Sequence, residues 1–528
     1  MSVLRVDFYG YNFTMMSNAN MKIVLLADQP HQASFIAPIA NELLKIKNDI
    51  KFSIVFTDYY TFLSRQDFLR GINAGFPGEV VHLEEIYKAW QEAPDEPFVD
   101  FDFLAQWERE NCSERSLDEI ERTNQLVYAD ERSQWHIPIT ELWKKKVLID
   151  TIKWCESYLE VFQPSVFVSA GNATLATNIF YTLAKKKGIS FFTLVPSRIG
   201  NRILLREDFA YGVSEELLTE AMELSRDETL NEQAIDLAIG ITQQKRGAYD
   251  SYQIYMSEHF SDKRRRLLSS FIRDFRKFLG RTYARTLIYK RGYEFPVKRI
   301  GENYLRMTFY DIRRILCQYL HLVGVFNYGT KEVPTERYFL WALHMRPEGA
   351  ISTLGDGRDE IEELYRSANL LPDGYFLAVK ENPEMFAQRR RGFHRRMKKH
   401  PRIILVDPFS PVFPLIESSV GVIGISGTVL LEAAILNKPA CALGHAEFDR
   451  FLTDHGWESA ENFIEKCISG VDVNALNKIL PYLCYVIKNT DERDTPPWHD
   501  WLKKSEATEI KETQSRLAGK LAYKLKKS

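Results

Sequence analysis

Residues Ile403–Phe448 read IILVDPFSPVFPLIESSVGVIGISGTVLLEAAILNKPACALGHAEF. Two runs within this stretch, Ile403–Val406 and Val420–Ile425, are apolar, rich in β-branched residues and too short for helices, which predicts buried parallel strands. Each is followed by a helical pattern. At the second junction stands Ser426-Gly427-Thr428. Small residues at a strand-to-helix turn leave backbone N–H groups open at a helix N-terminus, and that is an anion site. Glu432 follows one turn after Thr428, in reach of a ribose diol, and Lys438-Pro439 leads into a third strand. Strand, small-residue turn, helix with an early Glu and a further strand describe half of a nucleotide-binding α/β domain.

The same rhythm opens the chain. KIVLLADQ from Lys22 reads as a strand, PHQASFIAPIANELLKI (30–46) as an amphipathic helix and KFSIVFTD (51–58) as a second strand, which is how doubly wound sheets begin. It resumes with a helix over 141–162, a strand at Ser165–Ser169, the turn 170–174, a helix to Lys187 and a strand at Ser190–Val195. A second unit starts near Arg337: strand YFLWALH, helix 359–368 and strand YFLAVKENP. With 528 residues, about two to four domains are expected. The reading divides them into an extension (1–20), an N-terminal Rossmann-like domain (21–240), a basic helical segment (241–330), a C-terminal Rossmann-like domain (331–480) and C-terminal helices (481–528). The last stretch carries Ile510, Leu517, Leu521 and Leu525 on one stripe and is expected to pack back across the domain interface.

Charge marks two insertions. Residues 92–132 hold 13 acidic and 4 basic residues and predict a helical insertion with a solvated face. Residues 263–299 hold 13 basic and 2 acidic residues, with Leu267, Leu268, Phe271, Phe275, Phe278 and Leu279 at helical spacing. That segment reads either as the outer face of packed helices or as a basic amphipathic surface for anionic lipid or glycan. The whole chain is balanced, 69 basic against 71 acidic residues, which disfavours a nucleic-acid binder. No apolar run reaches the length of a membrane span, and the N-terminus lacks the layout of a signal peptide. Six cysteines are scattered without CxxC pairs, as in a reduced, cytoplasmic protein.

Candidate site residues lie at the carboxyl ends of the expected strands, where open α/β sheets bind ligands. Asp28 and His31 end the first strand; an imidazole or carboxylate there can take a proton from a sugar hydroxyl, although Asp28 can equally cap the following helix. In the second unit His344 and Glu348 end one strand and Lys380-Glu381-Asn382 the next, toward the same rim as Ser426, Gly427 and Thr428. Lys380 would neutralise a phosphate, with Glu381 holding it. GxxxxGK[ST], GxGxxG, HExxH and GxSxG are all absent from the positions that would give them meaning. Asp100-Phe101-Asp102 has the letters of a metal-binding DxD but falls in the acidic insertion.

LHMRPEGAISTLG (343–355), VKENP (379–383) and ISGTVLLEAAILNKPACALGHAEF (425–448) resemble, in order and spacing, three motifs of the capsule polysaccharide biosynthesis glycosyltransferases. The resemblance covers about 110 residues. It implies a GT-B fold, two Rossmann-like domains facing across a cleft, with a nucleotide sugar held by the C-terminal one and no metal or other cofactor required. Carried over by position, Ser426, Gly427 and Thr428 hold phosphate and Glu432 the ribose, with Lys380, Glu381, His344 and Glu348 in the other two motifs. The acceptor would be a glycan or a lipid-linked primer, which adds peripheral contact with the inner membrane face as an expectation. Asn382 stands where the family has histidine; asparagine donates a hydrogen bond but carries no charge. The alternatives are a nucleotide-sugar 2-epimerase of the same fold and a non-catalytic binding protein of a polysaccharide-assembly complex.

Overall fold

A computed structural model describes residues 7–8, 11–12, 21–28, 30–57, 72, 75–83, 96–123, 140–172, 174–209, 211–244, 267–290, 304–325, 328–345, 353–356, 358–386, 389, 392–471, 473–492, 494 and 507–527. The first sheet is built from β1 (Lys22–Ala27), β2 (Lys51–Phe56) and β3 (Glu79–His82), with α1 (Pro30–Ile46) between the first two. Helices α2 (Phe101–Asn111), α3 (Leu117–Arg122) and α4 (Glu141–Phe162) precede β4 (Val166–Ser169), α5 (Leu175–Lys186), β5 (Ser190–Pro196) and β6 (Ile203–Arg206). The strands lie in the order β3-β2-β1-β4-β5-β6, all parallel except the last pair. β1 and β4 are buried along nearly their whole length because helices cover both faces, and their continuous apolar sequences are the consequence.

Helices α6 (Glu215–Leu224), α7 (Glu228–Gln244), α8 (Leu267–Lys290) and α9 (Tyr304–Leu322) lead to the second sheet. It contains β7 (Arg337–Ala342), α10 (Glu360–Leu370), β8 (Tyr375–Lys380), α11 (Phe393–Met397), β9 (Ile403–Val406), α12 (Val412–Ser418) and β10 (Gly421–Gly424). It is completed by α13 (Thr428–Ile435), β11 (Ala440–Ala442), β12 (Asp454–His455) and α14 (Ala460–Ile468), after which come α15 (Ala475–Asn489) and α16 (Ala507–Lys527). The order is β9-β8-β7-β10-β11-β12, parallel throughout, so both sheets share the 3-2-1-4-5-6 order of a Rossmann domain.

The two halves exchange helices. Ala221 of α6 and Ala234 and Ala238 of α7 share one core with Leu430 and Ala434 of α13 and Ile479 and Leu483 of α15. In return, Leu517, Ala518, Leu521 and Ala522 of α16 pack into the core that holds Ala33, Ile36, Ala37 and Ala40 of α1, and Gln514 Nε2 donates to the Phe35 carbonyl at 3.0 Å. Between the carboxyl edges of the sheets, the Thr353 hydroxyl donates to the Asn172 carbonyl at 2.9 Å. Two Rossmann-like domains meeting edge to edge, with a C-terminal helix returning to the first, constitute a GT-B fold, as the sequence predicts.

Within the acidic segment, the described residues 96–123 form α2 and α3, and their inner side is structural: Leu104, Trp107, Leu117 and Ile120 enter the core of the first domain. Asp100 of the DxD tripeptide caps α2, accepting from the Phe103 N–H at 2.9 Å. All six cysteines are free thiols. Among the described residues no helix is long and apolar enough to cross a membrane. The return of α16 makes a direct stability prediction. Leu521→Ala removes a fully buried side chain and is expected to cost ~2–5 kcal/mol, read as a lower urea midpoint. Lys511→Ala on the exposed side of the same helix is expected to stay within ~0.5 kcal/mol of the parent.

Candidate functional site

In each sheet the chain first builds outward on one side of the central strand and then returns to the other. The reversal leaves a crevice at the carboxyl ends of two adjacent strands, β1 and β4 in the first domain and β7 and β10 in the second. Expected site residues stand at both.

In the second domain, His344 leaves the end of β7 and spans the crevice. Its Nδ1 lies 2.8 Å from Glu360 Oε1, its Nε2 meets the Ser426 carbonyl, and its backbone N–H donates to Glu360 at 2.9 Å. With a carboxylate on one side and a carbonyl on the other, both ring nitrogens are in donor positions. The ring therefore fixes the turn that follows β10. Gly427 is required in that turn twice over: its φ is +115°, and a Cβ would stand 3.0 Å from His344 Nε2. Thr428 then begins α13, whose N-terminus is capped by no side chain. The Ser-Gly-Thr turn is thus a strand-to-helix junction with its first-turn N–H groups beside the crevice.

The Lys-Glu pair at the end of β8 lies deeper than a rim would place it. The Lys380 side chain is buried and donates to the Pro408 carbonyl at 2.8 Å. Burial draws its ammonium down to about 8, against the opposing pull of Glu381, Asp407 and Glu432. Glu432 is itself buried, on α13, where its charge reaches Lys380. Glu381 is fully buried. Burial favours its neutral form, but Arg389 and His394 outweigh burial and hold the carboxyl at about 2. Arg389 grips it with two bonds, Nε to Oε2 at 3.0 Å and Nη2 to Oε1 at 2.9 Å, and also donates to the His344 carbonyl at 2.7 Å. Glu381 is therefore an internal brace between β7 and β8. Asn382, half-buried, donates its backbone N–H to Glu381 at 2.8 Å, and the His394 ring stands 2.9 Å from the same carboxylate. Glu348 lies outside the described residues.

In the first domain, Asp28 is at the end of β1 as expected, and it is buried among hydroxyls. Its Oδ1 accepts from Thr57 at 2.8 Å, Thr177 at 2.9 Å and Thr174 at 3.2 Å, which ties β2 and the start of α5 to β1. A Cβ at Gly171 would stand 2.4 Å from Asp28 Oδ2, so glycine is needed for β4 to end so close. This bonding makes Asp28 the brace of its crevice. His31 stands in the first turn of α1, and its side chain lies outside the described residues.

Between the domains the structure adds residues that sequence patterns do not mark. The His445 ring lies against Tyr211, tilted at 35° with 4.2 Å between ring centroids, and stands 3.5 Å from Asp356 and 3.8 Å from Asp449. Burial lowers its proton affinity, yet the two carboxylates raise the pKa to about 9, so the ring is charged at neutral pH. Arg115, from the acidic insertion, lies over the same Tyr211 ring at 4.6 Å from its centroid. The one sequence signal is the position of Gly444-His445 after a strand; Asp356 and Arg115 carry none, because their partners are distant in the chain. Among the described residues no group of three or more His, Cys, Asp or Glu side chains is arranged to hold a metal ion.

No family model matches the chain, and no curated protein matches it. Solved structures similar to it include UDP-GlcNAc 2-epimerase from Neisseria meningitidis bound to UDP-GlcNAc, 14% identical over 95% of this chain and 100% of that one, with a TM-score of 0.27. Others are the β-Kdo 2,7 transferase of Thermosulfurimonas dismutans KpsC, 10% identical over 65% of this chain and 87% of that one, TM-score 0.31, and the lipopolysaccharide outer core galactosyltransferase WaaB, 9% identical over 89% and 98%, TM-score 0.29. At these scores the fold rests on the strand order and helix exchange described above.

Arg389→Ala leaves Glu381 charged and buried without its main partner, an expected loss of ~3–5 kcal/mol in unfolding free energy at neutral pH. Because the folded pKa of Glu381 is depressed to about 2, the stabilisation is present above its unfolded value near 4.5 and is lost as pH falls through about 2. Chemical denaturation of both proteins across this range should show the gap between them closing toward acid.

Proposed function

We propose that this protein is a glycosyltransferase that moves a sugar from a nucleotide-sugar donor to a growing capsule or related surface polysaccharide, carried on a glycan or lipid-linked acceptor. The observation that supports the reading is that β7, β8 and β10, from whose ends the three motif segments start, are neighbouring parallel strands, so those segments start from one edge of the second sheet. The donor's phosphates would lie against the N-terminus of α13, where first-turn N–H groups stabilise anionic oxygens. Lys380, beneath the same edge, would supply positive charge to the departing nucleotide. Glu432 would orient the ribose, with Asn382 as a neutral hydrogen-bond partner on the β8 side. The acceptor would enter from the first domain, where His31 at the start of α1 is the proposed proton acceptor and Asp28 holds the strand end behind it. The resemblance of the three segments to capsule polysaccharide glycosyltransferases favours this chemistry over the other reactions the fold supports.

Binding of UDP and CMP, and of their sugars, should be measured by calorimetry on the parent, Lys380→Ala and Glu432→Ala. A loss of about tenfold or more is expected in each variant, since a hydrogen bond to a charged group, from Lys380 to phosphate or from a ribose hydroxyl to Glu432, contributes ~1.5–3 kcal/mol; unchanged affinity in both contradicts the site. Lys380 also sets a pH dependence. A bound phosphate favours the charged amine, so affinity should fall as pH rises through about 8, and Lys380→Ala should flatten that fall. Product analysis with and without a capsule oligosaccharide acceptor separates transfer from the alternative of acceptor-independent 2-epimerisation with hydrolysis, and binding without turnover from any donor indicates a non-catalytic binding protein.

A further inference from the structure

Helices α8 and α9 form an antiparallel hairpin. Phe271 of α8 meets Tyr319 of α9 edge to face at 5.1 Å, the Tyr319 hydroxyl donates to Asp274 at 3.1 Å, and Phe278 shares a small core with Ile315. Early residues of one helix thus pair with late residues of the other. Outside this seam, α8 exposes Leu268, Ile272, Phe275, Leu279 and Tyr283, which recur at helical spacing as one continuous stripe. α9 exposes Phe309, Ile312, Leu316 and Leu320 in the same way. These are large exposures for such side chains, 74% at Leu268 and 64% at Phe309.

The two stripes lie on one side of the hairpin. On each helix a stripe residue follows a seam residue by one position: Ile272 after Phe271, Leu279 after Phe278, Leu316 after Ile315 and Leu320 after Tyr319. One position is a rotation of about 100°, in the same sense on both helices. Because the helices run antiparallel, equal rotations from a shared seam bring both stripes to the same side. The opposite side of α9 is occupied. Gln318 and His321 are buried there, with His321 Nε2 2.9 Å from Asp407 and its ring against Phe386 at 4.8 Å. The hairpin therefore stands on the second domain, beside the Pro408 carbonyl that holds Lys380, and turns a two-helix apolar face outward.

Charge selects the occupant of that face. Arg273 and Arg276 are exposed on α8 and follow one margin of the stripe. The segment 263–299 sums to +11 from 13 basic and 2 acidic residues. A second copy of the chain would bring this charge against itself, whereas an anionic bilayer matches both features: apolar side chains enter the interface while arginine and lysine meet lipid phosphates. We propose that the α8–α9 hairpin is a peripheral membrane-docking element that binds anionic bilayers through this face and holds the second domain against the lipid surface. The proposal is independent of the transferase reading, because lipid binding is measured without donor or acceptor.

The test is co-sedimentation of the full chain with vesicles of phosphatidylcholine containing about 30% phosphatidylglycerol, and with phosphatidylcholine alone. The parent should pellet with the anionic vesicles, much less with the neutral ones, and less as salt is raised. The triple variant Leu268→Glu, Ile272→Glu, Leu279→Glu should lose about tenfold or more in partitioning, and Arg273→Glu with Arg276→Glu should lose most of the preference for anionic vesicles. These positions are on the surface, so circular dichroism and thermal unfolding of the variants should match the parent. A parent that does not bind anionic vesicles, or a triple variant that binds them equally well, overturns the proposal. Sedimentation velocity without lipid tests the competing occupant: a parent dimer that the triple variant converts to monomer assigns the face to a second copy and overturns the lipid assignment.

Discussion

His344 is held between Glu360 and the Ser426 carbonyl, and this contact joins the two strands at which the second sheet reverses its direction of growth. Neighbouring parallel strands are hydrogen-bonded along their lengths, but beyond their ends the chains splay apart and a crevice opens. A side chain that crosses the opening fixes how wide it is. The crossing also favours glycine at position 427, where φ is +115° and a Cβ would stand only 3.0 Å from the imidazole. From that constraint follows the open N-terminus of α13. Arg389 extends the brace sideways by holding Glu381 and the His344 carbonyl together, so the ends of β8, β7 and β10 form one rigid edge.

The first domain solves the same problem with another chemistry. Asp28 accepts three threonine hydroxyls where His344 has two acceptors, and Gly171 admits it as Gly427 admits His344. Both braces are buried, and each stands at the end of its sheet's central strand. The pairing of the Thr353 hydroxyl with the Asn172 carbonyl brings these two edges into contact. His445, kept charged by Asp356 and Asp449 of its own domain, adds a cation that faces Tyr211.

Much of this architecture is legible in the sequence, because strands covered on both faces have to be apolar throughout. Ile403–Val406 and the helix 30–46 are found where the pattern predicts them, and the stripe Leu517–Leu521 finds its partner in α1. What periodicity does not carry is long-range pairing. Asp28 reads as a proton acceptor or a helix cap until Thr174 and Thr177 fold onto it from far along the chain. Lys380 and Glu381 read as a rim pair; the parallel register that places β8 beside β7 buries them. The pattern predicts a helix from Pro481, a residue suited to a helix start, yet Asn474 caps α15 nearly two turns earlier and the proline lies inside. Arg115, Asp356 and Arg389 have no local signature, since each is defined by a partner on another element.

The central claim is that the crevice between β7 and β10, rather than its counterpart in the first domain, takes the nucleotide. Amide hydrogen exchange on the full chain, with and without saturating UDP or CMP, tests it most directly. Slowed exchange concentrated at residues 425–430 and 380–382 is the predicted result, with smaller changes across the facing edge at 170–172. Protection confined to residues 28–33 and 170–177, with 425–430 unchanged, would contradict it.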